Sequence, residues 1–333
     1  MNEITILGID LAKHVFQLHG EDAQGRVLVQ RQLRRSQLLG FVARLPACTV
    51  AMEACGGSHH WGRKVRELGH SVRLIPPQYI KAFNRGQKND RNDAQAIVAA
   101  ARQPRMPQVP IKSVEQQAIL ALHRVRDRMV KERTALGNQL HGLLAEYGLV
   151  LPRGILRLRR AVTELLGEET LPALLQGPVA DQLEHLAQIE QRIRALTQQL
   201  EQLARASEPC QRLMRHRGVG PLIATAFAAE LADAGSFKNG RQAAAWLGLV
   251  PRQHSSAERL RLFGITKRGN CYLRRLLIHG ARSALRCAPR YTDPISRWSL
   301  AVQERRGTNR ATVALANKTA RHLWATLRYP QAA

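Results

Sequence analysis

Three strand-like segments crowd into the first thirty residues. Ile4–Ile9 is apolar, Val15–His19 alternates, and Arg26–Gln30 within GRVLVQRQ alternates again. Connections of a few residues leave no room for a crossover helix, so these segments must be antiparallel neighbours. A helical stretch near 36–45 follows. Then come a strand in CTVAMEACGG ending at Glu53, a helix over 58–68, and a strand in HSVRLIPP. The first strand runs straight into Asp10. A carboxylate buried at a strand end is costly without a partner. Asp10 therefore either caps a turn or serves something charged, such as a metal ion.

Three strands, a helix, a strand, a helix and a strand is the element order of the RNase H fold. The rest of the chain reads differently. From Gln116 to Tyr147 apolar residues recur at helical spacing. From Leu183 the positions Leu186, Ile189, Ile193, Leu196, Leu200 and Leu203 form a 3,4 seam. That seam closes either an intramolecular helical hairpin or a contact between subunits. Residues 148–154 and Gly177-Pro178 are breakers within this region. From about Gln211 the pattern is mostly helical, interrupted by the loop-like GLVPRQHSSAERLRLFGITKRGN. YLRRLLIHGARSALR is an amphipathic basic helix. The expected fold class is α/β plus all-α, divided as 1–108, 109–208 and 209–333. Aromatics are only 5% of the chain, so Leu, Ala, Val and Ile must build the cores.

Lys and Arg number 51 against 25 Asp and Glu, a net charge of +26. Residues 251–333 hold 17 of those cations against only Glu258, Asp293 and Glu304. Such a chain binds polyanions through counterion release. A membrane surface is the rival explanation, but no apolar run approaches the ~20 residues of a span. The N-terminus lacks the basic region and long apolar run of a signal peptide. The five cysteines form no C-x-x-C pair, which points to free thiols in a reducing cytosol and away from structural zinc. A cytoplasmic, nucleoid-associated protein is expected.

Three further acids join Asp10. Glu53 ends a strand that lies beside the first in an RNase H sheet. Asp90 and Asp93 stand in KNDRNDAQAIVAA, where a helix starts, and an i,i+3 pair shares one helix face. An acidic pair at a helix start is ordinarily a cap and a dipole partner. Four carboxylates converging on one point, however, repel unless cations neutralise them. Oxygen-only ligands favour Mg²⁺ or Mn²⁺. Two such ions about 3.5–4 Å apart are the usual arrangement for cutting phosphodiesters.

The segments GIDLAKHVF, AMEACGG, KNDRNDAQAI, GVGPLIATAFAAEL, WLGLVPRQHSS and ITKRGNCYLRRLLIHGAR occur in that order. Together they resemble the DEDD transposases of bacterial insertion sequences, recombinases guided by a structured bridge RNA. The resemblance covers nearly the whole chain, with only the middle helices generic. It implies an N-terminal RuvC-like domain, a coiled-coil segment and a C-terminal transposase domain. It places the acidic tetrad on Asp10, Glu53, Asp90 and Asp93, and the nucleophilic serine on Ser256, next to Ser255. Ala257 and Glu258 stand where members sharing PRQHSS often carry two glycines. It further implies a guide RNA, donor and target duplex DNA, and dimers or tetramers in which one subunit's tetrad meets another's serine.

A serine hydroxyl is a weak nucleophile until something activates it. Arg252, Arg259, Arg261, Lys267 and Arg268 crowd this stretch and suit stabilisation of a charged phosphoryl transition state. Both serines would otherwise be read as turn caps. His254 beside them is a candidate for proton transfer, whereas His59 and His60 read as the start of a helix. RHRGVGPLI looks like a helix–hairpin–helix, in which Gly218 and Gly220 let backbone N–H groups approach phosphates, though a helix C-cap before Pro explains the same residues. Arg217, Arg274 and Arg275 complete the expected nucleic-acid-binding set. The leading expectation is an RNA-guided DNA recombinase acting through a phosphoserine. The alternative is a RuvC-like endonuclease or Holliday junction resolvase that hydrolyses DNA with the tetrad alone. A basic, non-enzymatic binding protein would have no use for the four acids.

Overall fold

The computed structural model describes residues 3–83, 90–168, 170–231, 233–255 and 261–330, with only the backbone of Asp90 and Arg91. The chain divides into two compact units, Met1–Glu115 and Gln116–Ala333.

The first unit contains β1 (Ile6–Leu11), β2 (Val15–Glu21), β3 (Val27–Arg34), α1 (Leu38–Val42), β4 (Thr49–Glu53), α2 (Ser58–Glu67), β5 (Ser71–Ile75), α3 (Pro77–Ile80) and α4 (Asp90–Ala101). The strands form one sheet in the order β3-β2-β1-β4-β5. The first three are antiparallel neighbours, and β4 and β5 join parallel to β1. These are the order and directions expected of an RNase H-like sheet.

Alternation along the strands sorts the two faces. Leu7, Ile9, Val50, Met52 and Leu74 point to one side, where Leu38 and Val42 of α1 and Trp61 and Val65 of α2 cover them. Ile6, Ala51 and Ile75 point to the other, against Ala96, Ile97, Val98, Ala100 and Ala101 of α4. Gly8 shares that second face. A Cβ there would sit 2.6 Å from both the Ala94 carbonyl oxygen and Val98 Cγ2. The absence of a side chain at Gly8 is what lets α4 lie directly on β1.

Apart from its first two residues, α5 (Val114–Ala145) belongs to the second unit, and α6 (Ile155–Gly167) and α7 (Ala173–Ala206) follow it. Arg126 Nε donates to Thr197 Oγ1 at 2.7 Å, and Glu132 meets His185, so α5 and α7 run antiparallel. Leu186, Ile189 and Ile193 of the 3,4 seam are buried with Leu136, Leu140 and Leu144 of α5 and Leu158 and Val162 of α6. The seam thus closes inside the chain as a helical hairpin. Gly177-Pro178, expected to break a helix, lies within α7. Pro178 stands in the second turn, and the single bond it forfeits is to Leu174, whose side chain is exposed. The break at 148–154 does separate α5 from α6.

Next come α8 (Glu208–Met214), α9 (Pro221–Glu230), α10 (Gly240–Trp246), β6 (Pro251–Gln253), β7 (Leu262–Ile265), α11 (Cys271–Cys287), α12 (Pro294–Arg306) and α13 (Thr308–Arg328). A core of Leu213, Phe227, Leu247, Leu277, Leu285, Leu315 and Leu323 joins them. The segment read as a loop is an antiparallel β6–β7 hairpin.

Candidate active site

Ile9 pairs with Met52 between the parallel strands β1 and β4. Asp10 and Glu53 follow one step beyond, side by side and on the same face as Gly8 and Ala51. Neighbouring strands lie about 4.8 Å apart, so the two carboxylates are adjacent. Both residues are half-buried. Cys55 reports their joint field: its thiol pKa is raised first by burial, then by Glu53 and Asp10.

The direction of α4 follows from its far end. Just beyond it, Arg102 Nε donates to Glu21 Oε2 at 2.8 Å, and its Nη2 donates to the Asp22 carbonyl. Glu21 is the partner of Ile6, at the start of β1. Gly8, further along β1, meets Ala94 and Val98. The helix therefore runs against the strand direction, and its N-terminus arrives at the edge where β1 and β4 end. Asp93, half-buried, lies there, one residue before Ala94. The backbone of Asp90 sits one turn earlier, and its side chain lies outside the described residues. Among the described residues no three His, Cys, Asp or Glu side chains are gathered closely enough to cage a metal ion. The donor chemistry nonetheless fits a hard divalent cation: Asp10, Glu53 and Asp93 bring only carboxylate oxygens to one sheet edge.

Ser256 and Arg259 lie outside the described residues, so the structure presents the frame around them. His254 N–H donates to the Arg261 carbonyl at 3.0 Å, joining the two sides of the hairpin. Gln253 Nε2 donates to Ser255 Oγ at 3.0 Å. At the hairpin base, Gly248 and Gly269, both with positive φ, interlock two chain segments. A Cβ on Gly248 would strike the Arg268 carbonyl, and one on Gly269 the Trp246 carbonyl. Asn317 Nδ2 holds the Leu249 carbonyl at 3.1 Å.

Arg274, expected to face nucleic acid, is instead 9% exposed. Its Nη1 donates to the carbonyls of Leu247 (2.9 Å) and Arg268 (2.8 Å), clamping both sides of the hairpin base. The basic helix pattern marked Arg274 as cationic but not which way it points. Arg252, Lys267 and Arg268 are exposed around the hairpin, with Arg252 over the Phe263 ring. Arg275 pairs with Asp127 and lies over Tyr272.

The RHRGVGPLI segment joins α8 to α9. Gly218 has φ +81 and packs against Gly280 of α11 so closely that neither position admits a Cβ. Close packing thus accounts for Gly218. Gly220, the N-cap of α9, has open space where a Cβ would stand. Arg217 is bound to Asp293 and Ser296, and its guanidinium carbon lies over the Tyr291 ring, 3.4 Å from the centroid. That pairing holds the Asp293 carboxyl well below the usual range, after the larger contribution of Ser296. His59 and His60 fall in the first turn of α2, as read.

Half-buried acids thus stand at the carboxyl edge of a mixed sheet, and a basic helical unit follows it in the chain. Residues 7–149 match the DEDD family described as "Transposase", and residues 210–295 match "Transposase IS116/IS110/IS902 family". The chain is similar to a probable family 20 transposase of Pseudomonas aeruginosa, at 50% identity over 97% of both chains. It is also similar to the transposase for insertion sequence element IS1111A of Coxiella burnetii, at 46% identity over 98% of this chain and 90% of that one. A third relative, the transposase for IS1328 of Yersinia enterocolitica, is 37% identical over 97% of each. The chain belongs to the IS110/IS116 family of DEDD transposases. It is an enzyme that cuts and recombines DNA for transposition, and its DEDD domain implies dependence on a divalent metal. Among the described residues no helix is long and apolar enough to cross a membrane.

Proposed function

We propose that this transposase is an RNA-guided recombinase that exchanges strands through a phosphoserine at Ser256, with Mg²⁺ or Mn²⁺ held by Asp10, Glu53, Asp90 and Asp93. The observation that carries the metal reading is the shared edge of Asp10, Glu53 and the start of α4. A divalent ion bound there supplies positive charge to the phosphate oxygens as charge builds on them. The remaining work falls to side chains. Ser256 Oγ forms a bond to phosphorus while a strand oxygen leaves as a hydroxyl, so bond energy is conserved and rejoining needs no nucleotide cofactor. Exposed Arg252, Lys267 and Arg268 bind and neutralise the backbone, while the Gly248–Gly269 interlock and the Arg274 clamp hold the hairpin base. The guide RNA and a dimeric or tetrameric assembly rest on the resemblance of the six sequence segments.

The test is a denaturing gel of labelled DNA with protein, scored for a band that protease removes. Ser256→Ala abolishes adduct and exchange together while DNA binding survives, and Ser255→Ala keeps at least part of both. Asp10→Asn and Asp93→Asn abolish cutting in Mg²⁺. Efficient cutting by the unaltered protein with no adduct overturns the phosphoserine and leaves hydrolysis by the tetrad. RNA retained on the purified protein, once sequenced, tests the guide.

A further inference from the structure

The second unit holds a cavity of about 220 Å³ beside the α8–α9 hairpin. Its walls come from the hairpin (Arg215, His216, Arg217), the start of α12 (Ser296) and α13 (Lys318, His322). Pockets for small organic ligands run to about 300–1,000 Å³, so this one is small for a nucleoside and sized for a phosphate group with water.

The charge balance of the walls is one-sided. Asp293 is the acid that reaches the cavity, and Arg217 already engages it. Arg215, Lys318 and His322 have no acidic partner among the described residues. Lys318 Nζ is held 4.3 Å over the Trp298 ring centroid, which fixes the ammonium in place. Both histidines are shifted toward the neutral form, by burial first. His322 is held below the usual imidazole pKa by burial, then by Lys318 and Arg321. His216 is held low by burial, then by His322, and its Nε2 lies 2.8 Å from Thr326 Oγ1. A cavity lined by Lys318, held over Trp298, and by exposed Arg215, whose one acid is already engaged by Arg217, suits an anion.

We propose that this cavity is a phosphate-binding pocket for nucleic acid, with Lys318 and Arg215 as its charge donors and the α8–α9 hairpin as its rim. The inference rests on the chain's action on DNA. It explains why an ordered ion pair, Arg217–Asp293, stands at the wall: the pair fixes the rim and leaves the other cations free for the ligand. A phosphate can come from an internal backbone position or from a 5′-phosphoryl strand end, and both present the same group.

The test uses the full chain and labelled duplexes of one sequence ending in 5′-hydroxyl or 5′-phosphoryl, with affinity followed by anisotropy across a salt series. Each lost phosphate contact flattens the slope of log affinity against log salt by about 0.9. The double variant Lys318→Gln/Arg215→Gln is expected to bind roughly tenfold more weakly at low salt, with a slope flatter by about 2. Lys318→Arg retains the slope. Lys64→Gln, which removes one charge from the exposed pair with Glu67, changes it little. Arg215→Gln alone, at an exposed position, gives about half the effect should the double variant fail to fold. A loss confined to 5′-phosphoryl duplexes assigns the pocket to strand ends, and an equal loss with both assigns it to the backbone. A double variant, or a folded Arg215→Gln, whose affinity and slope match those of Lys64→Gln overturns the pocket. Absence of salt-dependent binding by the unaltered protein would instead overturn its direct binding of DNA.

Discussion

At Gly8 a missing side chain positions the acidic edge. The Cβ of any other residue would press on the Ala94 carbonyl and Val98, and α4 would lift from the sheet. Gly8→Val is expected to cost about 1–3 kcal/mol in urea unfolding, the range for overpacking, and to reduce metal-dependent cutting further than stability alone explains. Gly40→Ala, in α1 with open space around it, serves as the matched control and should fold at least as stably. The strand-end positions of Asp10 and Glu53 were legible in the sequence, because each closes a short apolar run. Their spacing also carries a readable signal that the sequence reading passed over. Gly8 precedes Asp10 by two, and Ala51 precedes Glu53 by two, so each acid has a small residue on its own face where a helix can rest. Arg274 was legible only as a cation. Its inward turn depends on carbonyls at Leu247 and Arg268, which no helical pattern contains. Arg274→Gln should therefore destabilise by about 1.5–3 kcal/mol and slow strand exchange, with the salt slope of DNA binding unchanged. Arg268→Gln should do the reverse, keeping stability and flattening the slope by about 1. Equal slopes for the two variants would place both guanidinium groups on DNA.

Among the elements, α5, α9 and α11 are pinned by one buried histidine. Thr225 Oγ1 donates to the Pro221 carbonyl at 2.7 Å, so it accepts from His123 Nε2–H at 2.9 Å. His123 Nδ1 is then the unprotonated nitrogen and accepts from the Tyr272 hydroxyl at 2.9 Å. Both ring nitrogens are used in the neutral form, and a second proton on Nδ1 would force the Tyr272 O–H to turn away from it. Burial first, then Arg126, lowers the His123 pKa to about 4. The unfolded chain, with an ordinary value near 6.5, binds that proton at higher pH. Stability from His123 is thus full above about pH 6.5 and is lost as pH falls toward 4, a change of ~3 kcal/mol at most. His216 and His322 shift in the same direction. Urea midpoints at pH 7.5 and 5 should therefore differ more for the unaltered protein than for His123→Gln, which starts less stable but loses less on acidification. An equal loss in both would remove His123 as the cause. The same elements show where sequence reading stops. The 3,4 seam on α7 is plain in the sequence, but periodicity identifies a buried stripe without saying what covers it. Here α5 and α6 cover it from within the chain. Gly218 likewise reads as a phosphate-binding glycine until Gly280, 62 positions away (280 − 218), is found against it.

For the whole molecule, charge decides more than any single contact. A net charge of +26 opposes folding through self-repulsion, so its retention in a chain that acts on DNA points to its use on polyanions. Release of condensed counterions then drives binding, and a protein making 6–10 phosphate contacts loses about 10³–10⁵ in affinity between 50 and 200 mM salt. We expect the unaltered transposase, without added RNA, to fall in that range on duplex DNA. Scrambling the duplex sequence should change the affinity little at any salt concentration. Side chains such as Arg252, Lys267 and Arg268 are exposed, and in a system guided as proposed above base pairing would do the reading. Adding a guide RNA should then create sequence preference without steepening the protein's own salt slope. Two results would count against this division of labour. Affinity falling less than tenfold across the salt range would mean that the charge is not engaged. Strong sequence preference by the protein alone would mean that its side chains read bases directly, and a guide would be unnecessary.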